Sequence, residues 1–86
     1  MHVWPDPFNP AKAVNGTLKF SCLPDGSTVE IYTLSGELVC RVTPVAQLAQ
    51  WDGRNLNGVL VSSGIYYYVV RQGSSALAEG KFLVLQ

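Results

Sequence analysis

The sequence is poor in the residues from which most active sites are made. It has one histidine and two cysteines, His2, Cys22 and Cys40. His2 lies in a terminal stretch expected to fray, so Ser–His or Cys–His catalysis has no placed base. The three together do not have zinc-ligand spacing. The acidic residues Asp6, Asp25, Glu30, Glu37, Asp52 and Glu79 fall mostly in turns or at outward strand positions, where a solvated carboxylate is the ordinary state. No Gly-rich loop leads from a strand into a helix, so no phosphate cradle is expected. The expectation is no catalytic residue, no cofactor and no metal. An enzyme is not indicated.

Charge is equally scarce. Only 14% of residues are charged, and six basic and six acidic side chains cancel. Without a positive field the chain has nothing to draw in nucleic acid or an anionic membrane. No apolar run approaches the ~18 residues that a membrane span needs. The opening MHVWPDPFNP has no basic segment followed by an apolar one, so no signal peptide is read there. Met1 is compatible with an expression start before an excised domain, and the absence says little about where the parent protein resides. A Cys22–Cys40 bridge would add about 3 kcal/mol in the chain-entropy model. Two small buried hydrophobes are the simpler expectation, because each thiol sits in an apolar strand.

What the sequence has is 48% hydrophobic residues arranged as short alternating strands. Thr17–Cys22 alternates, placing Leu18, Phe20 and Cys22 on one face. Pro24, Asp25 and Gly26 break the chain. Val29 and Ile31 point inward from the next strand, Ser35-Gly36 turns, and Leu38–Val42 pairs back. Val45–Gln50 is too short for a stable helix and reads as a loop into a short strand ending at Trp51. Val59–Val61 is expected as another strand. Ile65–Arg71 (IYYYVVR) is the strongest β signal, apolar on both faces as in a central strand or one meeting a neighbouring domain. Gln72–Ser75 turns it into a last strand, Ala76–Leu85.

About seven strands with a turn every 8–12 residues predict one antiparallel β-sandwich over residues 1–86, without substantial helix. Residues 1–12 would pack on it as an extended segment. The expected core is Leu18, Phe20, Val29, Ile31, Val39, Trp51, Tyr66, Tyr68, Phe82 and Val84.

The stretch WDGRNLNG at 51–58 superficially suggests a calcium loop. Counting from Asp52, however, position 3 is Arg54, position 5 is Leu56 and position 12 is Ser63, where oxygen donors and a bidentate Glu are required. A pair of tight turns fits better, with Asp and Asn capping their own backbone and Gly53 and Gly58 at positive φ. Asn15-Gly16-Thr17 fits a glycosylation sequon, a pattern common by chance. Trp4, Tyr32 and Tyr67 remain as aromatics that could stack on sugar rings or dock a partner.

Taken together, the motifs form a recognisable series. Trp4-Pro5-Asp6-Pro7-Phe8-Asn9-Pro10 is followed by Val29–Val39 (VEIYTLSGELV), then by WDGRNLNG, Val61–Tyr68 (VSSGIYYY) and Gly80-Lys81-Phe82. In order and spacing this resembles the C-terminal Ig-like domains of secreted bacterial proteins. Those are related to the Ig-like domain of the flagellar hook-capping protein and to type A sorting domains of type IX secretion systems. The resemblance spans essentially the whole chain, with Asp6 standing where Asn is usual and the two cysteines outside the pattern.

It implies an Ig-like sandwich that acts as a sorting signal or attachment module, secreted or at the cell surface after export through a Gram-negative periplasm. Its partners would be the secretion machinery or a surface receptor, and an adjacent domain of the parent protein. The implied recognition surface is Pro5, Pro7, Phe8, Asn9, Gly36, Gly64, Tyr67 and Lys81, with the strand 81–86 available to add to a receptor's sheet. Alternatives are a self-assembling module like the hook cap, and a carbohydrate-binding or spacer module appended to a hydrolase.

Overall fold

The computed structural model describes residues 1–86, except for the side chain of Val14. Seven strands form the chain: β1 His2–Trp4, β2 Leu18–Ser21, β3 Ser27–Thr33, β4 Leu38–Val42, β5 Ala49–Trp51, β6 Gly64–Gln72 and β7 Ser75–Val84. Among the described residues the helical content is a short 3₁₀ turn at Val14–Gly16. The strands build two antiparallel sheets, β1-β2-β5 and β4-β3-β6-β7. Together they make a β-sandwich. IYYYVV is central, lying between β3 and β7.

Alternation decides what each sheet buries. Leu18 and Phe20 from β2 face Val29 and Ile31 from β3, and all four are fully buried. Around them is an aromatic cluster in which Trp51 meets Phe82 edge-on at 5.6 Å and Phe20 meets Tyr68 at 5.3 Å. Trp51, Tyr66 and Phe82 are buried, whereas Tyr68 is half-buried at the margin of the core. The phenol of Tyr66 still finds a partner, donating to the Ser62 carbonyl at 2.7 Å, as a buried hydroxyl must.

Three expectations are corrected. The seventh strand is His2–Trp4, not Val59–Val61. His2 pairs with Ser21 and Trp4 with Lys19, so the terminus is laddered instead of frayed. Val59 and Leu60 are exposed, and Leu60 closes only an isolated bridge to Arg54. An apolar run makes a strand only where a neighbouring strand offers a ladder, and Val59–Val61 has none. Cys22 is not a core residue. Alternation ends at Ser21, Cys22 takes the left-handed conformation with φ 57°, and Leu23 occupies the buried place instead. Its amide is held by the Gln47 carbonyl at 3.1 Å. Cys40 is half-buried against the core, and burial raises its thiol pKa. Both thiols are free.

The third correction concerns Phe8. Expected on a recognition surface, it is buried at 0% exposure and sits 5.9 Å from Trp51. Burying a phenyl group completely contributes about 2–3 kcal/mol, so Phe8 anchors the N-terminal segment and offers nothing to a partner.

Candidate recognition surface

The N-terminal segment is strapped along the end of the last strand. Its Trp4–Pro5 and Asp6–Pro7 peptides are cis. Phe8 N–H donates to the Leu83 carbonyl at 2.7 Å, and Leu85 N–H donates to the Phe8 carbonyl at 2.8 Å. This is a parallel bridge between Phe8 and Val84. The Leu83 amide, the next edge group, donates to Asp6 Oδ1 at 3.1 Å. An asparagine Oδ1 would accept that bond equally well, so this contact does not distinguish Asp6 from the Asn usual at this position of the motif. Asn9 then turns the chain, accepting Ala11 N–H on its side chain at 3.0 Å and Lys12 and Ala13 N–H on its carbonyl.

Between strap and strand lies a groove of about 310 Å³ lined by Pro5, Pro7, Asn9, Lys12, Ala13 and Leu85. Its walls are mainly apolar, with one cation, Lys12, among them. Gly64 pairs with Val84 beside it, and Gln86 N–H donates to Ser63 Oγ at 2.9 Å. Because Thr33 pairs with Tyr66, the β3–β4 turn lies at this same end of the four-stranded sheet. That turn holds Gly36 at φ 94°, closed by Gly36 N–H to the Thr33 carbonyl. The fold therefore gathers Pro5, Pro7, Asn9, Gly36 and Gly64 at one end of the molecule.

Tyr67 and Lys81 belong to a different surface. They pair across β6 and β7 on the outer face of the four-stranded sheet, with the Lys81 ammonium 5.3 Å from the Tyr67 ring centre. Tyr32 sits directly opposite Tyr67 on β3. The anchor of this face is Glu30, which sequence reading passed over as a solvated carboxylate. It accepts from Arg41 Nε at 2.9 Å, from Tyr32 Oη at 2.8 Å and from Arg71 Nε. The Arg41 guanidinium, followed by the Tyr32 and Arg71 donors, outweighs burial and holds the Glu30 carboxyl down at about 2. The available signal was a lone acid between inward Val29 and Ile31, with Arg41 in the strand expected to pair back on it.

Trp4 occupies the opposite outer face. Its partner in the ladder is Lys19, which alternates with core residues Leu18 and Phe20 and places its ammonium 5.3 Å from the indole. Trp4 therefore lies on the other sheet from Tyr32 and Tyr67, and the three do not form one stacking surface.

The loop 51–58 folds as a pair of tight turns. Asp52 Oδ1 accepts Arg54 N–H at 3.1 Å, and Asn55 Oδ1 accepts the amides of Asn57 and Val59 at 2.9 and 3.1 Å. Gly53 and Gly58 have φ of 84° and 76°. Arg54 Nη1 donates to the Gly58 carbonyl at 2.9 Å, setting a cation inside the loop. Trp51 Nε1 donates to the Arg54 carbonyl at 2.9 Å, fixing the loop to the core.

This fold has a solved counterpart. The chain superposes with a TM-score of 0.78, over 99% of its own length, on part of PorZ from Porphyromonas gingivalis. PorZ is described as an essential bacterial surface component of the type IX secretion system of that human oral bacterium, and the identity is 24%. The chain spans 11% of the length of the PorZ chain, so the likeness concerns one sandwich unit of a much larger protein. No family model matches the sequence, and no curated protein does.

Proposed function

We propose that this chain is a non-catalytic β-sandwich module of a secreted or cell-surface bacterial protein, serving as an address or attachment unit for type IX secretion. The observation that carries the reading is the full-length superposition on a unit of PorZ, a surface component of that system. The motif series from Trp4 to Phe82 supports it independently, because it resembles sorting domains in order and spacing. The surface offered for recognition is the end of the sandwich where the groove at Pro5, Pro7, Lys12 and Leu85 adjoins the Gly36 and Gly64 turns. These are side chains and turns on a rigid scaffold, suited to being read by a protein partner. The seat for the strap, residues 83–85, is already filled, so that part of β7 is not open for strand addition.

The test is a fusion of this module to a reporter in a bacterium with a working type IX system. Export of the reporter to the surface or medium, abolished in a strain lacking the translocon, is the expected result. Leu85→Asp combined with Lys12→Glu alters only exposed side chains of the groove and should retain the folded fusion in the periplasm. Export that proceeds equally without the module, or a folded wild-type fusion held in the periplasm, would sink the reading.

A further inference from the structure

β7 is an edge strand, and its edge is covered only in part. The strap occupies the outward N–H and C=O of Leu83 and the N–H of Leu85. Antiparallel strands alternate, so the residues two and four positions earlier, Lys81 and Glu79, turn their N–H and C=O groups to the same edge. Among the described residues nothing bonds these groups, and both side chains are exposed. A row of unpaired N–H and C=O groups on an edge strand is a template for pairing with another chain. Here the open stretch is bounded at one end by the strap and at the other by the irregularity at Leu77, where the register with β6 shifts.

We infer that this edge takes the same edge of a second copy of the chain, antiparallel, about a two-fold axis through Gly80. The charge pattern selects the partner and the register. With the axis at Gly80, each Glu79 lies opposite the other copy's Lys81, in hydrogen-bonded pairs that exchange four main-chain bonds. Moving the axis to residue 79 would oppose glutamate to glutamate, and moving it to residue 81 would oppose lysine to lysine. Directly opposed like charges disfavour both. Self-complementarity of this kind is what an isologous interface requires. The strap and the bulge limit the ladder to residues 79–81, so the association is weak, with a dissociation constant of roughly 10 µM to 1 mM. It is independent of the export reading, which concerns the other end of β7.

Sedimentation velocity across a concentration series tests it, with amide exchange at high and low concentration. A reversible dimer is expected, with the amides of Glu79 and Lys81 protected only when the chain is concentrated. Glu79→Lys should weaken dimerisation at least tenfold, and adding Lys81→Glu in the same chain should restore it by re-forming the complementary pairs. The thermal midpoint of the dilute monomer serves as the folding control for each variant. A chain that stays monomeric at ~1 mM, a double variant that fails to recover, or protection appearing on β4 instead of β7 would overturn the inference.

Discussion

The phenol ring of Tyr68 lies across Gly80, its partner on the neighbouring strand, in the space that a Cβ would take. A methyl group built on Gly80 would fall within 2.6–2.7 Å of three Tyr68 atoms. The glycine is there for space and not for an unusual backbone, and the ring in turn shields the strand where glycine supplies no side chain. Gly80→Ala should therefore destabilise the domain by about 1–3 kcal/mol through overpacking. Chemical denaturation measures this. In the Tyr68→Ala background the alanine should cost less, so the double-mutant cycle should show coupling between the two positions. Additive effects would contradict the geometry.

Glu30 makes a pH prediction. Its carboxyl titrates near 2 in the folded protein, below its ordinary value of 4.5, chiefly because Arg41 donates to it. Lowering a carboxyl's folded pKa favours the folded state above the unfolded pKa, and the benefit fades as pH falls through the folded value. The stabilisation should be complete above about pH 5 and lost progressively between about pH 4.5 and 2. Arg41 and Arg71 are partly exposed, so solvent screening reduces the effect. Glu30→Gln should cost about 1 kcal/mol at neutral pH. Thermal melts over this range should be flatter for the variant than for the parent chain, and parallel profiles would remove Glu30 from the account.

The loop at 51–58 predicts an insensitivity. Asp52 Oδ1 and Asn55 Oδ1 are bonded to backbone amides, and Arg54 donates to the Gly58 carbonyl. Calcium should leave the melting temperature unchanged, and so should a chelator. Asn55→Ala should cost about 1–2 kcal/mol, since one side-chain oxygen holds two amides. A calcium-dependent melting temperature reversed by chelation would reinstate a metal site.

This loop was legible in the sequence because its determinants are local. Asx residues two positions before an amide, and glycines at positive φ, act within a few residues of themselves. β3 and β6 were legible for a similar reason, since alternation of Val29 and Ile31 with Glu30 and Tyr32 is a local pattern of faces. What could not be read depends on distant pairing. Nothing near Phe8 says that Val84 will lie beside it, and nothing near Val59 says that no strand will. Cys22 escaped because a single left-handed residue ended the alternation and passed the inward place to Leu23. The Glu30 cluster needed the registers of β4 and β6, which place Arg41 opposite Glu30 and Arg71 two residues away across the sheet. The implied recognition residues divided for the same reason, with Pro5, Pro7, Asn9, Gly36 and Gly64 at one end and Tyr67 and Lys81 on an outer face.

The strap is the most consequential of these non-local features, and Phe8 is its anchor. Its ring is buried against Trp51, while its backbone makes the two hydrogen bonds that seat the segment on β7. Phe8→Ala removes the ring and leaves a cavity beside Trp51 and above Gly53, whose position is 3.4 Å from the Phe8 ring for any added Cβ. Such truncations cost about 3–5 kcal/mol. The loss should not be uniform, because local opening is governed by local contacts. Amide exchange at Leu83 and Leu85 should accelerate well before that of Ile31 or Tyr68 in the central strands. Phe8→Leu, which retains most of the apolar volume, should recover much of the protection. If both variants exchange like the parent chain at Leu83 and Leu85, the strap is not held by this side chain. If every amide accelerates together, the strap and the sandwich open as one cooperative unit, and Phe8 is simply part of the common core.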